Sequence, residues 1–572
     1  MVRRVAIVGA GVSGLASIKC CLDEGLEPTC FEKSDGIGGL WQFTETPQKG
    51  RIGVYRSVMT NTSKEMTCFS DFPFPEDCPN YLRHSALLEY LRAYAKHFCL
   101  LDYIRFQTTV CSIRKHPHFT ATGQWVVDTE TNGEQTSEIF DGVMVCSGHY
   151  AEINLPLDSF PGIENFKGRY FHSWEYRDQK GFEGQKVLVV GAGNTGGDLA
   201  AEISRTAAKV FLSTRSGAWV ISRISEAGWP VDMAWTTRFY ELIEKLLPEG
   251  TIYKLMAKKM NRWFNHENYG LIPVKSNSWT SLILNDELPS CILCGTVTVK
   301  PNVKRFTDTS AIFEDETVEE NIDTVIFTTG YSATFPFLEE SLRDACRSST
   351  SLYKHIFPPH LEKPTLAFVG FIVLAGPILP AVELQARWIT RVFNGSSELP
   401  PMSRLISEVA KRKNALLKKG ITDISSKRDK TRIRFVSYMD EIAACLGVKP
   451  NVPLLFLSDP KLAWMVFFGP CTSYQYRLTG PGKWREARGA ILTQWDRVLR
   501  PLKTRVVEDS PQPATVPHWL KALALPIFLG AAWIILKYLL PAWLPRTNGW
   551  RVLNSFMFSG LGIVHNAWSH QS

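Results

Sequence analysis

Two six-residue stretches govern what this chain can fold into. They are Gly9-Ala10-Gly11-Val12-Ser13-Gly14, within VAIVGAGVSGLAS, and Gly191-Ala192-Gly193-Asn194-Thr195-Gly196, within VLVVGAGNTGGDLA. Each follows a short apolar run and precedes a pattern of helical period, which is the order strand, tight turn, helix. In such a turn the first glycine permits the bend, the second lets a pyrophosphate approach the backbone, and the third lets the helix pack closely on the strand. The expected fold class is therefore α/β, with two Rossmann-like βαβ units about 180 residues apart. Ile18 and Leu22, with Gly25 as a stop, fit the first helix; Leu199 and Ile203 fit the second.

The residues downstream of the two turns differ in charge. Eighteen residues after Gly14 comes Glu32, able to accept hydrogen bonds from a ribose diol; nineteen after Gly196 comes Arg215. An acidic side chain at the second position would repel a ribose 2′-phosphate, whereas a guanidinium binds one bidentately. The first unit is thus read as built for FAD and the second for NADPH, with Thr214 and Arg223 as helpers at the phosphate. Two such sites in one chain imply hydride transfer from nicotinamide to flavin. The loop GIGGLW, Gly36 to Trp41, is expected to cover the first pyrophosphate.

FDGVMVCSGHY, from Phe140, reads as a buried strand, and IDTVIFTTGYS, from Ile322, as its downstream counterpart, so the second unit is inserted into the first. The expected division is residues 1–155 and 326–445 for the FAD domain, 156–218 and 281–325 for the NADPH domain, and 219–280 for a helical insertion. A C-terminal region, 446–517, comes next, with mixed structure expected from Thr431 to Pro501. In the insertion, Ile252, Leu255, Met256, Met260, Trp263 and Phe264 fall on one helical face, either packed on the body or serving as a lid or membrane-surface element. The Pro-rich EDSPQPATVPHW then leads to an apolar segment, 518–545, expected to anchor the chain in a membrane, and a tail, 546–572. Whether the anchor spans the bilayer or lies in one leaflet is left open by Lys521, Pro526, Lys537 and Pro541.

Composition narrows the class further. At 45% hydrophobic and 21% charged residues the chain is globular material, and a formal charge of +8 scattered along 572 residues argues against a nucleic-acid partner. Thirteen cysteines without disulfide spacing suit a cytosol-facing protein. Cys291-Ile292-Leu293-Cys294 is a CxxC, but in an apolar, strand-like stretch without the helix N-terminus that lowers a thiol pKa, so these cysteines are expected to be structural. No metal site is expected.

Between the two units, Phe166, Gly168, His172, Tyr176 and Arg177 fit the F-x-G-x-x-x-H-x-x-x-[Y/F]-[K/R] pattern of class B flavoprotein monooxygenases. With VYRSVMTNTSKEMTCFSDFPFP, GNTGGDLAAEIS, LNDELP, VELQARW and GPGKWREAR, the chain resembles the flavin-containing monooxygenases of the vertebrate microsomal type. The resemblance implies FAD at Gly9, Gly11, Gly14, Glu32, Leu40 and Trp41. It implies NADPH at Gly191, Gly193, Asn194, Thr195, Gly196, Thr214 and Arg215, and assigns Asn61 to the reacting flavin edge, where it helps hold NADP⁺ and a C4a-hydroperoxyflavin. The implied reaction is N- or S-oxygenation of amines and sulfides by O2 at the cytosolic face of the endoplasmic reticulum membrane, with lipid contacts through the tail and self-association as further expectations. Baeyer–Villiger oxidation of ketones and NADPH oxidation to hydrogen peroxide are the alternatives. The departures are TTGY at Thr328 to Tyr331 where the family has ATGY, Thr195 where serine is common, and the long extension past Pro545.

Overall fold

In chain order the elements that build the two central sheets are β1 (Arg4–Val8), α1 (Val12–Asp23), β2 (Glu27–Phe31), β3 (Ile104–Arg105), β4 (Gly142–Val145), β5 (Arg169–His172), β6 (Lys186–Val190), α2 (Asn194–Ile203), β7 (Lys209–Ser213), β8 (Val297–Lys300), β9 (Thr324–Phe327), β10 (Leu366–Phe368) and α3 (Leu379–Phe393). The computed structural model describes residues 2–48, 50, 52–150, 152–273, 282–346, 348–418 and 433–505. The chain divides into one unit spanning Met1–Leu502 and another from Lys503 to Ser572. The expected anchor, 518–545, and the tail, 546–572, lie outside the described residues, among which no helix is long and apolar enough to cross a membrane.

The first sheet has strand order β10-β4-β1-β2-β3 and the second β8-β7-β6-β9-β5, every pairing parallel. Parallel strands covered on both faces need apolar residues at every position, which is why VAIV and VLVV are uninterrupted. In β1, Val5 and Ile7 enter a core with Leu15 and Ile18 of α1 and Val382 and Ile389 of α3. Ala6 and Val8 enter a separate core with Phe31, Phe140 and Phe368. In β6, Val187 and Val189 pack with Leu199 and Ile203 of α2, whereas Leu188 and Val190 pack with Phe211, Phe313 and Phe327.

The chain passes from the first sheet to the second after β4, and the two crossings are hydrogen-bonded to each other, Glu152–Ile153 antiparallel to Tyr331–Ser332. The strand of IDTVIFTTGYS, β9, lies beside β6, so the changeover follows Gly330 rather than falling within the strand; β10, beside β4, completes the return.

Three sequence expectations are corrected. The stretch around the CxxC is a helix, Leu288–Leu293, because Pro289 fits its first turn and Asn285 Oδ1 accepts from the Glu287 and Leu288 N–H groups; Cys291 and Cys294 stand at its carbonyl end. In the insertion the long helical pattern breaks at Leu247-Pro248 into helices Arg238–Leu246 and Glu249–Met260. Ile252 and Met260 are buried, whereas Leu255 and Trp263 are exposed, so the expected apolar face packs only in part. The stretch expected to be mixed from Thr431 to Pro501 is mainly helical where it is described, a two-residue strand, Ile433–Arg434, being followed by helices Phe435–Leu446, Val452–Ser458, Pro460–Phe468 and Ala487–Leu499.

The close packing of α3 on α1 yields a test. Ile389→Ala is expected to cost about 2–5 kcal/mol in denaturant unfolding, the usual range for emptying a buried aliphatic site. A loss below about 1 kcal/mol would mean that this contact does not hold α1 in place.

Candidate functional site

The first turn is built by contact distances. Gly9 has φ +98°, and a β-carbon at Gly14 would lie 1.9 Å from the Gly9 carbonyl oxygen, so α1 can leave β1 at this angle only if position 14 has no side chain. Gly11, in contrast, meets nothing closer than Gly39 Cα at 3.7 Å, which leaves its face open. The GIGGLW loop folds against the turn, with the Gly38 N–H donating to Ala10 O at 3.1 Å and half-buried Leu40 and Trp41 coming after it. Helix α1 has no side-chain cap and no acidic residue in its first turn, so its leading N–H groups remain for an anion.

Glu32 is buried at the end of β2. Its Oε2 accepts from the Ala10 N–H at 2.8 Å, and Oε1 from Ser34 N–H and Oγ–H at 2.8 and 2.7 Å. The carboxylate is thereby fixed beside the turn with lone pairs to spare for a diol. An open second glycine, an uncapped helix and an anchored carboxylate together fit a dinucleotide with an unphosphorylated ribose.

The second turn repeats the arrangement with the opposite charge. A β-carbon at Gly196 would lie 2.0 Å from Gly191 O, Gly193 is exposed with nothing within 4 Å, and α2 likewise lacks a side-chain cap and early acids. Thr214, buried at the end of β7, accepts from the Gly217 N–H at 3.1 Å and sets the bend that leaves Arg215 exposed, with no ion pair among the described residues. Those residues fit a 2′-phosphorylated ribose. Thr195 is half-buried, and the Asn194 Oδ1 accepts from the Leu284 N–H at 2.9 Å, tying the turn to the strand Leu282–Leu284 that follows the insertion. Thr328, where the resemblance leads one to expect alanine, donates to Val190 O and Gly191 O at 3.0 and 2.7 Å and so supports the turn.

The side-chain bonds of Arg223 go to the Asn61 loop and to Asp286 rather than to the Thr214–Arg215 bend, against the expectation that it helps at the phosphate. Its Nη2 donates to Asn61 Oδ1 at 3.2 Å and its Nε to Thr60 O at 3.3 Å, while Asp286 pairs with Nη1 at 3.3 Å. With Oδ1 occupied, exposed Asn61 keeps its Nδ2 hydrogens for a bound molecule. The loop behind it is tied down at consecutive residues. Ser63 N–H and Oγ–H donate to Asp232 Oδ2 at 2.7 and 2.9 Å, buried Lys64 donates to the Glu76 and Cys78 carbonyls at 2.7 Å each, and Glu65 takes a two-pronged contact from Arg497 at 2.6 and 2.9 Å. Burial pushes the Asp232 carboxyl up to about 6 against the pull of its hydrogen bonds.

Motifs far apart in sequence meet beside this loop. Tyr55 OH donates to Asp198 Oδ2 at 2.5 Å, Asn285 Nδ2 donates to Asp198 Oδ1 at 2.7 Å, and Ser57 Oγ donates to Glu202 at 2.6 Å. Sequence reasoning missed Asp232, Arg497 and these partners; the motifs GNTGGDLAAEIS and LNDELP marked the segments holding Asp198 and Asn285 but not the pairings. The central His172 of the F-x-G-x-x-x-H pattern is buried, and desolvation lowers its pKa to about 4, which keeps it neutral. Its Nε2–H donates to Gly330 O at 3.1 Å and Nδ1 accepts from the Trp174 N–H at 3.1 Å, so it ties β5 to the second crossing. Arg177 donates to Thr44 O at 2.7 Å. The pattern thus joins the sheets and offers no acid or base.

Residues 2–537 match the family described as Flavin-binding monooxygenase-like. The chain is 56% identical over 537 residues to a Homo sapiens protein named dimethylaniline monooxygenase (N-oxide-forming) 4, covering 94% of this chain and 95% of that one. It is 54% identical over 526 residues to Homo sapiens flavin-containing monooxygenase 2, covering 92% and 97%. Among solved structures, the S-allyl-L-cysteine S-oxygenase from Allium sativum aligns with TM-score 0.59 and 25% identity over 80% of this chain and 92% of that one. An NADP+-bound cyclohexanone monooxygenase from Rhodococcus sp. Phi1 shares the fold, at TM-score 0.55 and 17% identity, over 78% and 98%.

Folding raises the Asp232 pKa, so the stability this group contributes is fully present below about pH 4 and is lost as pH rises through about 6. Asp232→Asn removes that dependence. The melting temperature of the wild type minus that of the variant is expected to fall between about pH 4 and pH 7; a difference independent of pH would contradict the assignment.

Proposed function

The chain belongs to the flavin-binding monooxygenase-like family and is a flavin monooxygenase, and we propose that FAD binds at the Gly9–Gly14 turn, NADPH at the Gly191–Gly196 turn, and that one atom of O2 passes to a soft nitrogen or sulfur atom of a small molecule. The observation that carries the cofactor assignment is the exchange of a buried, anchored Glu32 for an exposed Arg215, unpaired among the described residues, at matching places after two equivalent turns. When bound, FAD supplies hydride acceptance from NADPH and the activation of O2.

The protein's part is binding and orientation. The α1 amides and Gly11 receive the flavin pyrophosphate, Glu32 accepts from its ribose, and Leu40 and Trp41 cover it. Arg215 and Thr214 receive the 2′-phosphate. Asn61, held through Oδ1 by Arg223, presents Nδ2–H donors without changing charge, and no side chain is required as a nucleophile because amines and sulfides are themselves nucleophilic. The network of Tyr55, Asp198 and Asn285 holds the Asn61 loop against the second nucleotide unit.

The enzyme's proposed place is the endoplasmic reticulum membrane, facing the cytosol. Support comes from an exposed apolar cluster on helices Arg238–Leu246, Val452–Ser458 and Pro460–Phe468, which includes Phe239, Leu242, Leu246, Leu454, Trp464 and Leu457, the last 85% exposed. The composition of the segment 518–545 supports it as well.

Arg215→Gln tests the nucleotide assignment. Loss of a two-pronged charged contact of about 2–3 kcal/mol is expected to raise the KM for NADPH roughly 30- to 150-fold and leave that for NADH nearly unchanged. An equal loss with both nucleotides would overturn the assignment.

A further inference from the structure

VELQARW and GPGKWREAR, which the redox site leaves unused, come together at the C-terminal end of α1 around a cavity of about 300 Å³. The charges in and behind its wall do not balance. Lys19, Arg387 and Arg477 are buried there against two carboxylates, Asp71 and Glu383. Arg477 Nη2 reaches Asp71 at 2.8 Å and Glu383 at 2.7 Å, and Lys19 Nζ reaches Asp71 at 2.7 Å and Asp23 at 2.7 Å. At the rim Glu24 is already paired with Arg391, and Lys483 is exposed, so the positive excess persists when the rim is included.

Arg387 is the group left over. Its Nη1 and Nη2 donate to Tyr476 O at 3.2 Å and Pro481 O at 2.9 Å, but among the described residues no carboxylate lies within ion-pair distance. Burial, reinforced by the neighbouring Arg477 charge, lowers its pKa to about 10. Space for both guanidinium groups exists because residue 482 is glycine, with φ +68°; a β-carbon there would lie 2.8 Å from Arg477 Nη1 and 3.3 Å from Arg387 Nη2. A second unmet group lies in the same wall, since Asp71, which also lines the cavity, keeps Oδ1 buried with no hydrogen-bond partner among the described residues.

These two features ask for one ligand that accepts from arginine and donates to a carboxylate. We propose that the cavity binds inorganic hydrogen phosphate, with its oxygens on the free Arg387 N–H donors and its O–H donated to Asp71 Oδ1. A guanidinium fork suits an oxyanion, and leaving either buried group unmet is costly. Hydrogen phosphate keeps an O–H at neutral pH, whereas sulfate of the same charge has none and would leave Asp71 facing a like charge. The site is separate from the dinucleotide turns, at the opposite end of α1 from Gly11.

FAD-loaded full-length protein, saturated with NADP+ so that Arg215 is occupied, is titrated by calorimetry with inorganic phosphate and separately with sulfate at constant ionic strength. Saturable phosphate binding is expected, at least about tenfold tighter than sulfate, since an unmet buried acceptor costs at least that factor. Asp71→Asn is expected to abolish the preference and Arg387→Gln the binding. Lys483→Glu, at the exposed rim where the fold tolerates change, is expected to weaken phosphate roughly tenfold, and serves where Arg387→Gln does not fold. Absence of saturable binding by the wild type, equal affinity for the two anions, or indifference to Lys483→Glu would overturn the proposal.

Discussion

Two carbonyl oxygens set the geometry on which the rest of the protein depends. Gly9 O lies 1.9 Å from where a β-carbon of residue 14 would be, and Gly191 O lies 2.0 Å from that of residue 196. The helices can therefore start directly over the ends of their strands, with first-turn amides that no side chain caps. Such a helix end attracts an anion whatever the rest of the ligand is. Selection between ligands falls to a single charge at the end of the next strand, and the chain uses both signs. Glu32 is locked to Ala10 and Ser34, while Arg215 is left without an ion-pair partner among the described residues. The same turn geometry thus occurs twice with opposite charge beside it, the arrangement on which the proposed assignment of two dinucleotides rests.

Bringing the two units to one reaction requires that they be held together. The crossing strands are paired, neutral His172 ties β5 to the Gly330 turn, and Tyr55, Asp198 and Asn285 form a hydrogen-bonded bridge between segments from both units. Asn61 stands on the loop that this bridge borders. Its backbone is fixed through Ser63, Lys64 and Glu65, and its carboxamide is oriented by Arg223. These buried polar contacts suit positioning, because a fully satisfied buried network holds one geometry.

The turns, their flanking strands and helices, and the placement of Glu32 and Arg215 just past the strands that follow were legible in the sequence because each depends on residues within about twenty positions of one another. Arg223 was misassigned for the opposite reason: its partners Asn61 and Thr60 lie more than 160 positions away, and nothing local marks them. Asp232 and Arg497, which secure Ser63 and Glu65, were invisible on the same ground. The helix at Leu288–Leu293 was mistaken for a strand since a short apolar run fits either, although Pro289, favourable in a first helical turn, was a usable signal. The interruption at Pro248 could likewise have been read from the proline.

In the proposed reaction, hydride from NADPH and one atom of O2 meet on this scaffold at a soft heteroatom. The decisive experiment supplies the FAD-loaded protein with NADPH, a dialkyl sulfide and ¹⁸O2, and compares labelled sulfoxide with NADPH consumed. The predicted result is one ¹⁸O atom in each sulfoxide and close to one sulfoxide per NADPH. Unlabelled sulfoxide, or NADPH consumption recovered entirely as hydrogen peroxide, would contradict it.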